Sequence, residues 1–533
     1  MRAAADRPIR AAVVLREWHD LLLFLLAHPG DAEEAVWATA QLDRIASRVA
    51  QLPERAQGGL LDSGLAGAPV EGAFSLPLVQ WLMARWPGHV RLTQVDAPLD
   101  DVRDVLRALV LPAERETVDA PVTDAESLLA LIFGDDDVRW LPLLLACFEA
   151  LTVPDAMREQ WFARLRAWVR IGGGAVSCAV TQARAPTAAP FTLPDGLHRG
   201  VDVAAVVAQP VPPPLRITPQ AARALVDTAR TVLATMARET DPVTHASAVT
   251  LHDMGRGLRI ALFSLDVPHR LPFDSYVGFM AFRNGVPLAY GGAWIFPGRS
   301  KIGINVFPAQ RGGESAWFFA QLLRLYRDRF RVETFEAENY QLGFHNPEGL
   351  RSGAYWFYFR LGFRPAQPML QRVAEREFAR LTTRRGYAVP SRVLRQLVEA
   401  GLELPVASSS AAAAAGVLDA GALTAAVSRH IVTWYAGDRP RALAAARRRV
   451  QALLRDVLPA GGVARWPAAS RSMFEQWLPA LDLVDDLETW THTERLRLAA
   501  VIRSKGEADE TRHQQRLRTH TRLLAGWARA LSD

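Results

Sequence analysis

The chain has 533 residues, half of them hydrophobic and 22% charged, which argues against global disorder and leaves room for about two to four domains. The isoelectric point is 9.7. However, 62 basic residues meet 56 acidic ones for a net charge of +6, so the charge runs read as solvated helix faces and nucleic-acid binding is not expected. Lys301 and Lys505 are the only lysines, and this bias toward arginine, with abundant alanine, reflects a GC-rich bacterial genome more than a function.

The N-terminal stretch carries early arginines but no long apolar core of a targeting segment. Leu21–Ala27 is far shorter than the roughly 20 residues that span a bilayer, and it runs into His28-Pro29-Gly30, a helix stop. A soluble cytoplasmic protein with no membrane partner is therefore expected. Residues 1–171 read as a helical N-terminal domain. Glu33–Val49, Leu78–Trp86, Val102–Leu111 and Trp140–Leu151 carry helical apolar spacing, and Met157–Ile171 places Trp161, Leu165 and Val169 on one stripe. Cys147 lies in an apolar run and reads as a buried core thiol. With Cys178 the only other cysteine, neither a disulfide framework nor a zinc knuckle is indicated, and the chain fits a reducing compartment. Residues 172–215, opened by three glycines and closed by Pro210-Val211-Pro212-Pro213-Pro214, read as a Pro/Ala-rich linker, with a possible strand at Ala175–Val180.

A helix is expected over Pro219–Arg238, and from Ala248 the periodicity changes to strands. Leu258–Leu265 is one. Tyr276–Phe282 and Val286–Ile295 flank Arg283-Asn284-Gly285, and Asn-Gly between two apolar runs is a strong hairpin signal. Lys301–Phe307 is a further strand, Ser315–Phe330 a helix, Val332–Glu338 a strand and Ser352–Leu361 a helix. From Gln367 the chain reads as mostly helical, with a low-complexity break at Ser408–Ala415 and a basic helix at Arg439–Leu458. The expected class is α+β: a central mixed-sheet domain over 216–381 between helical regions 1–171 and 382–533.

Two motifs carry chemistry. The first runs from Val306 and Phe307 through Gln310, Arg311, Gly312, Gly313 and Glu314 to Ser315, between a strand and a helix. Glycine there lets a backbone approach a pyrophosphate, and free amides at the helix N-terminus hold its charge. Ser315 is positioned to cap that helix. The second is Ser352-Gly353-Ala354-Tyr355-Trp356-Phe357-Tyr358-Phe359-Arg360-Leu361-Gly362-Phe363. In this order, about forty residues apart, the two motifs resemble the GNAT superfamily of acyl-CoA-dependent N-acyltransferases, over about residues 240–366. In the first motif Gln310, Gly313 and Ser315 match the family pattern; in the second, Ala354, Tyr358, Gly362 and Phe363.

The resemblance implies that acetyl-CoA or another acyl-CoA binds at 306–315 as co-substrate. It also implies that a backbone amide near Asn305–Phe307 stabilises the oxyanion, and that Tyr358 protonates the departing thiolate. A phenol with an ordinary pKa of about 10 holds its proton at neutral pH and suits that task. Glu336 and Glu338, on one face by strand alternation, are the candidate general bases, and His345 is a loop candidate. Three features depart from the family pattern. Glu314 would repel phosphate if it pointed inward, Arg351 stands where asparagine usually opens the last helix, and 340–350 is longer than usual. No HExxH, Walker A or GxSxG motif is present, and His245, His252 and Asp253 have no cysteine to complete a metal site. The acceptor amine is left open as a small molecule or a protein. The alternative reading is a degenerate scaffold of the same fold within a helical protein-interaction or RNA-binding protein.

Overall fold

The structure, a computed structural model, describes residues 8–172, 179–186, 191–193, 195–198, 200–406 and 418–532. The sites of Cys178, most of the possible strand at Ala175–Val180, and the low-complexity break at Ser408–Ala415 lie outside them. Among the described residues no helix is long and apolar enough to cross a membrane.

The chain opens with helix α1 (Ala12–Ala27), which buries Leu15, Leu22, Leu23 and Leu26 and ends where His28 donates its amide to Phe24 at 2.8 Å. The expected helix over Glu33–Val49 is two shorter ones, Ala32–Leu42 and Ile45–Ala50. Residues 70–171 are not purely helical. Strands β1 (Val70–Ala73), β2 (Val90–Val95) and β3 (Ala167–Ile171) form an antiparallel sheet in the order β1-β3-β2, covered by helices around Leu82, Leu106, Leu128 and Phe148. Helix α2 (Asp155–Arg164) ends within the stretch read as one helix to Ile171. Arg166 takes a left-handed φ of 47°, and β3 follows with Ala167, Val169 and Ile171 inward. The stripe Trp161, Leu165, Val169 fits a helical period, but partners on both sides of the last five residues decide for a strand. Cys147 is half-buried rather than a core thiol, and burial raises its pKa.

The stretch 172–215, read as a linker, is packed in part: Ala179, Val180 and Ala183 are buried, while Phe191 and Leu193 are exposed. It contains helix α3 (Val203–Ala208), whose Val203 and Val207 enter the main core. Arg327 donates to the Val207 carbonyl at 2.8 Å, and the Leu215 amide donates to Leu251 at 2.7 Å. Helix α4 (Pro219–Ala234) follows, its Thr218 side chain accepting from the Ala221 amide at 3.1 Å.

The main sheet has eight strands: β4 (Ala246–Gly255), β5 (Leu258–Leu265), β6 (Ser275–Arg283), β7 (Val286–Phe296), β8 (Arg299–Val306), β9 (Thr334–Ala337), β10 (Arg364–Pro365) and β11 (Leu402–Pro405). Their order is β10-β11-β9-β8-β7-β6-β5-β4, and the β8–β9 pair is parallel while every other pair is antiparallel. The protein is thus α+β around a mixed sheet. The expected hairpin is present: Arg283 pairs with Val286, and Asn284 and Gly285 take positive φ of 47° and 81°. Helix α5 (Ser315–Phe330) connects β8 to β9. The helix expected over Ser352–Leu361 is interrupted at Gly353, φ 71°, leaving Pro347–Ser352 and helix α6 (Ala354–Arg360). β11 lies beyond the expected boundary at 381, in a stretch read as helical, and completes the sheet between β9 and β10.

Strand alternation divides two cores. Ile260, Leu262, Val277, Phe279 and Ile302 face α3, α5 and α6. Ala261, Phe263, Met280 and Phe282 face α1 and α4 on the other side. Gly291 lies tight against β8: a Cβ there would run into the Gly303 carbonyl oxygen. Gly291→Ala is therefore expected to cost about 1–3 kcal/mol or more, read as a lower unfolding midpoint. An unchanged midpoint would contradict this packing.

The C-terminal helices, among them α7 (Thr511–Thr519), form a bundle around Trp477, Trp490 and Trp527. It docks on the sheet through Phe273 and Phe296. Gln514 donates to the Ile295 carbonyl at 3.0 Å and to Ser275 Oγ at 2.8 Å. The basic helix runs Arg439–Leu454, and its Arg447 and Arg449 pair with Glu475 and Glu488, in keeping with a solvated face rather than a polyanion groove.

Candidate functional site

The turn after β8 divides into a covered part and an open part. Val306 closes β8 opposite Ala289, and the Phe307 amide donates back to Leu288 at 3.1 Å. Gln310 is buried beneath α1, its Nε2 at 3.5 Å from the Leu23 carbonyl. A Cβ at Gly313 would stand 3.1 Å from Phe24 and 3.6 Å from His28 Nε2, so α1 occupies the inner side of the turn. Arg311 and Gly312 remain exposed. Gly312 has φ +81° and open space around it, and Arg311 lies 3.7 Å from Glu348. Ser315 does not cap α5. It is the first helical residue, and the cap position belongs to Glu314, which makes no side-chain cap bond.

Glu314 points inward. Its carboxylate is 3.1 Å from Arg283 and 3.4 Å from Arg256, and it accepts from the His198 amide at 2.9 Å. Arg283 is fully buried, and its guanidinium nitrogens have no aligned hydrogen-bond partner among the described residues. His28, 3.9 Å from Glu314, completes the group. Burial, then the charge of Arg283, pushes its pKa down to about 4 against the opposing pull of Glu314. Burial also pushes His252 down to about 4, with Arg329 adding to it.

Both histidines titrate near 6.5 when unfolded. Between pH 4 and 6.5 the unfolded chain thus binds more protons than the folded one, and stability present at neutral pH is lost as pH falls through that window. Asp274, pushed up to about 6 by burial, works in the opposite sense, so the informative comparison is between variants. Wild type is expected to lose more stability between pH 7 and 5 than His28→Gln, measured by denaturant midpoints. Equal losses would contradict a buried neutral His28.

β8 and β9 pair over only three positions, Arg299–Lys301 with Thr334–Glu336, after which β8 runs on to Val306 paired with β7 on one side and with no strand on the other among the described residues. Phe307 sends its amide to β7, so by alternation Ile304 and Val306 present theirs to the open edge. Gln341 bears this out, for its Nε2 donates to the Ile304 carbonyl at 3.0 Å from within the gap. Tyr358 on α6 sits at the same place. Its ring packs on Phe319, Phe357 and Phe363 at 5.3–5.5 Å. The hydroxyl faces Gln341 and the Ile304 backbone without closing an aligned hydrogen bond among the described residues, and burial drives its pKa well above the ordinary phenol value.

Glu336 lies on β9 and Glu338 just past its end, and they meet different partners. Arg299 binds Glu336 at 2.5 Å and Glu403 of β11 at 2.7 Å, so Glu336 is held in an ion-paired row. Glu338 is exposed, 3.5 Å from Lys301. His345 is exposed on the loop with φ 52° and stacks its ring edge on Phe344. Gln341 and Arg283 escaped sequence reasoning. Gln341 lies in the over-long 340–350 segment, and Arg283 was visible only as a hairpin flank. In comparisons with known proteins, no family model, no curated protein and no solved structure matches this chain.

Proposed function

We propose that the protein is an acyl-CoA-dependent N-acyltransferase that moves an acyl group, acetyl in the simplest case, to an amine. The observation that carries this reading is the open edge of β8, with the Tyr358 hydroxyl buried beside it and closing no aligned hydrogen bond among the described residues. The order β8-α5-β9, the parallel pair that separates after three residues, and β11 inserted between β9 and β10 also accord with the GNAT-like arrangement.

An acyl-CoA fits this frame with one adjustment. Its pyrophosphate would lie on the exposed Arg311-Gly312 side of the turn and the first amides of α5, not on Gln310 and Gly313, which α1 covers. Its pantetheine amides would run along the edge that Gln341 now satisfies. The amides of Ile304 and Val306, rather than Phe307, face the thioester oxygen. The amine nitrogen attacks the thioester carbon, the C–N bond forms, and the C–S bond breaks as Tyr358 passes its proton to the sulfur. A phenol holds its proton at neutral pH, and burial, which raises the Tyr358 pKa, makes it a weaker acid than an ordinary phenol. The amine's proton leaves to water, for which Glu338 is the freer carboxylate, since Glu336 is committed to Arg299.

Two observations favour the second reading, a catalytically silent scaffold. Glu314 fills the anion position with an internal carboxylate, and Gln341 fills the gap. Calorimetric titration with acetyl-CoA and longer acyl-CoAs separates the two. Binding is expected, and it should tighten in Gln341→Ala, where the edge is unblocked. No heat with either protein at millimolar acyl-CoA would overturn the enzyme reading in favour of the scaffold.

A further inference from the structure

Glu159 of α2, His245 just before β4, and His269 just after β5 converge from distant parts of the chain. One potential ligand atom from each lies within 4.8 Å of the others, the one such group of three among the described residues. Glu159 reaches His269 Nε2 at 3.3 Å with one oxygen and His245 Nε2 at 3.8 Å with the other. Donors on a tetrahedral zinc ion, with bonds of about 2.0–2.1 Å, stand about 3.3 Å apart, which the His269 separation matches and the His245 separation exceeds. We propose that Glu159, His245 and His269 bind one divalent transition-metal ion of the zinc class.

The hydrogen bonds around the group orient His269 as a ligand. Asp266 engages Nδ1 of His269 at 2.5 Å. Fixing Nδ1 by a carboxylate is how metal-bound histidines are oriented. The two imidazoles stack at 3.6 Å with 21° between planes, so binding one ion requires the rings to splay until both Nε2 lone pairs point at it. The frame is fixed as well: the Asp266 amide donates to the His245 carbonyl at 2.9 Å, and the His245 amide to Asp241 at 2.8 Å. Asp241 and Asp266 add negative charge near His245.

Two imidazoles and one carboxylate suit zinc and its neighbours and not magnesium or calcium, which take oxygen donors. Three protein ligands leave a fourth position for water. The ion would also fasten the small sheet unit, through α2, to the main sheet, through the ends of β4 and β5.

The test is zinc uptake by the full chain, stripped of metal and of any affinity tag. Equilibration with Zn²⁺, gel filtration and elemental analysis should return one zinc per chain, and Co²⁺ should give the visible absorption of a four-coordinate nitrogen–oxygen site. His269→Ala and Glu159→Gln should each weaken zinc binding at least roughly tenfold, and Asp266→Asn about 10–100-fold. Glu159→Gln, nearly isosteric, carries the result if His269→Ala does not fold. No retained zinc in wild type, or equal zinc affinity in wild type and Glu159→Gln, would overturn the proposal and leave a protonated His269–Glu159 pair. The readout is independent of acyl transfer, so its failure and that of the acyltransferase reading are distinct.

Discussion

Lys505→Met is expected to destabilise the protein by about 3–5 kcal/mol, the largest loss of stability anticipated for a single side chain. Lys505 and Glu510 are both fully buried and form a direct ion pair where the C-terminal bundle meets the sheet. Lys505 Nζ also donates to the Asp274 carbonyl at 2.6 Å, and Ser275 donates to Glu510 at 2.9 Å. Removing the ammonium leaves Glu510 with only Arg270, at 3.9 Å, as a nearby cation. It also removes the charge that holds down the Asp274 pKa, already about 6. An uncompensated buried carboxylate is the costly outcome, so Lys505→Met with Glu510→Gln should recover much of the loss. Trp477, Trp490 and Trp527 are buried in the same bundle and contribute to the tryptophan fluorescence by which denaturant unfolding of the chain is followed. A loss below about 1 kcal/mol would mean that the pair contributes no more than a surface salt bridge.

Tyr358→Phe is expected to lower turnover by about 10²–10⁴-fold, the usual contribution of a positioned acid, while acyl-CoA affinity stays nearly unchanged. The ring contacts with Phe319, Phe357 and Phe363 survive the change. The hydroxyl that is lost closes no aligned hydrogen bond among the described residues, so the variant should fold and melt close to wild type. Turnover is followed as free CoA thiol released against a panel of amines. Lost affinity with unchanged turnover would make Tyr358 a packing residue.

What the sequence revealed was mostly local. The Asn284-Gly285 hairpin and the stop after Ala27 depend on neighbours within a few residues. What it did not reveal came from distant partners. β3 is a strand because β1 and β2 flank it, although its apolar spacing also fits a helix. β11 is too short to signal itself and exists because β9 and β10 offer edges. The same holds at the candidate site. Gln310 and Gly313 match the expected phosphate-binding pattern, yet α1, nearly three hundred residues earlier, covers them. Glu336 looks free in sequence until Arg299 and Glu403 arrive from two other strands. His245 was weighed with His252 and Asp253 beside it in the chain, whereas its partner carboxylate comes from Glu159. Tyr358 was accessible because its motif is compact, and the gap it faces follows from three strand pairs and no more.

The central claim is that an acyl-CoA lies along the open edge of β8, and amide hydrogen exchange measured on that strand tests it most directly. With saturating acetyl-CoA, the peptide spanning Gly303–Phe307 should exchange more slowly, because the Ile304 and Val306 amides gain acceptors, and the Gly312–Ala316 turn should slow with it. Unchanged exchange in both segments, or protection confined to other parts of the chain, would contradict the account.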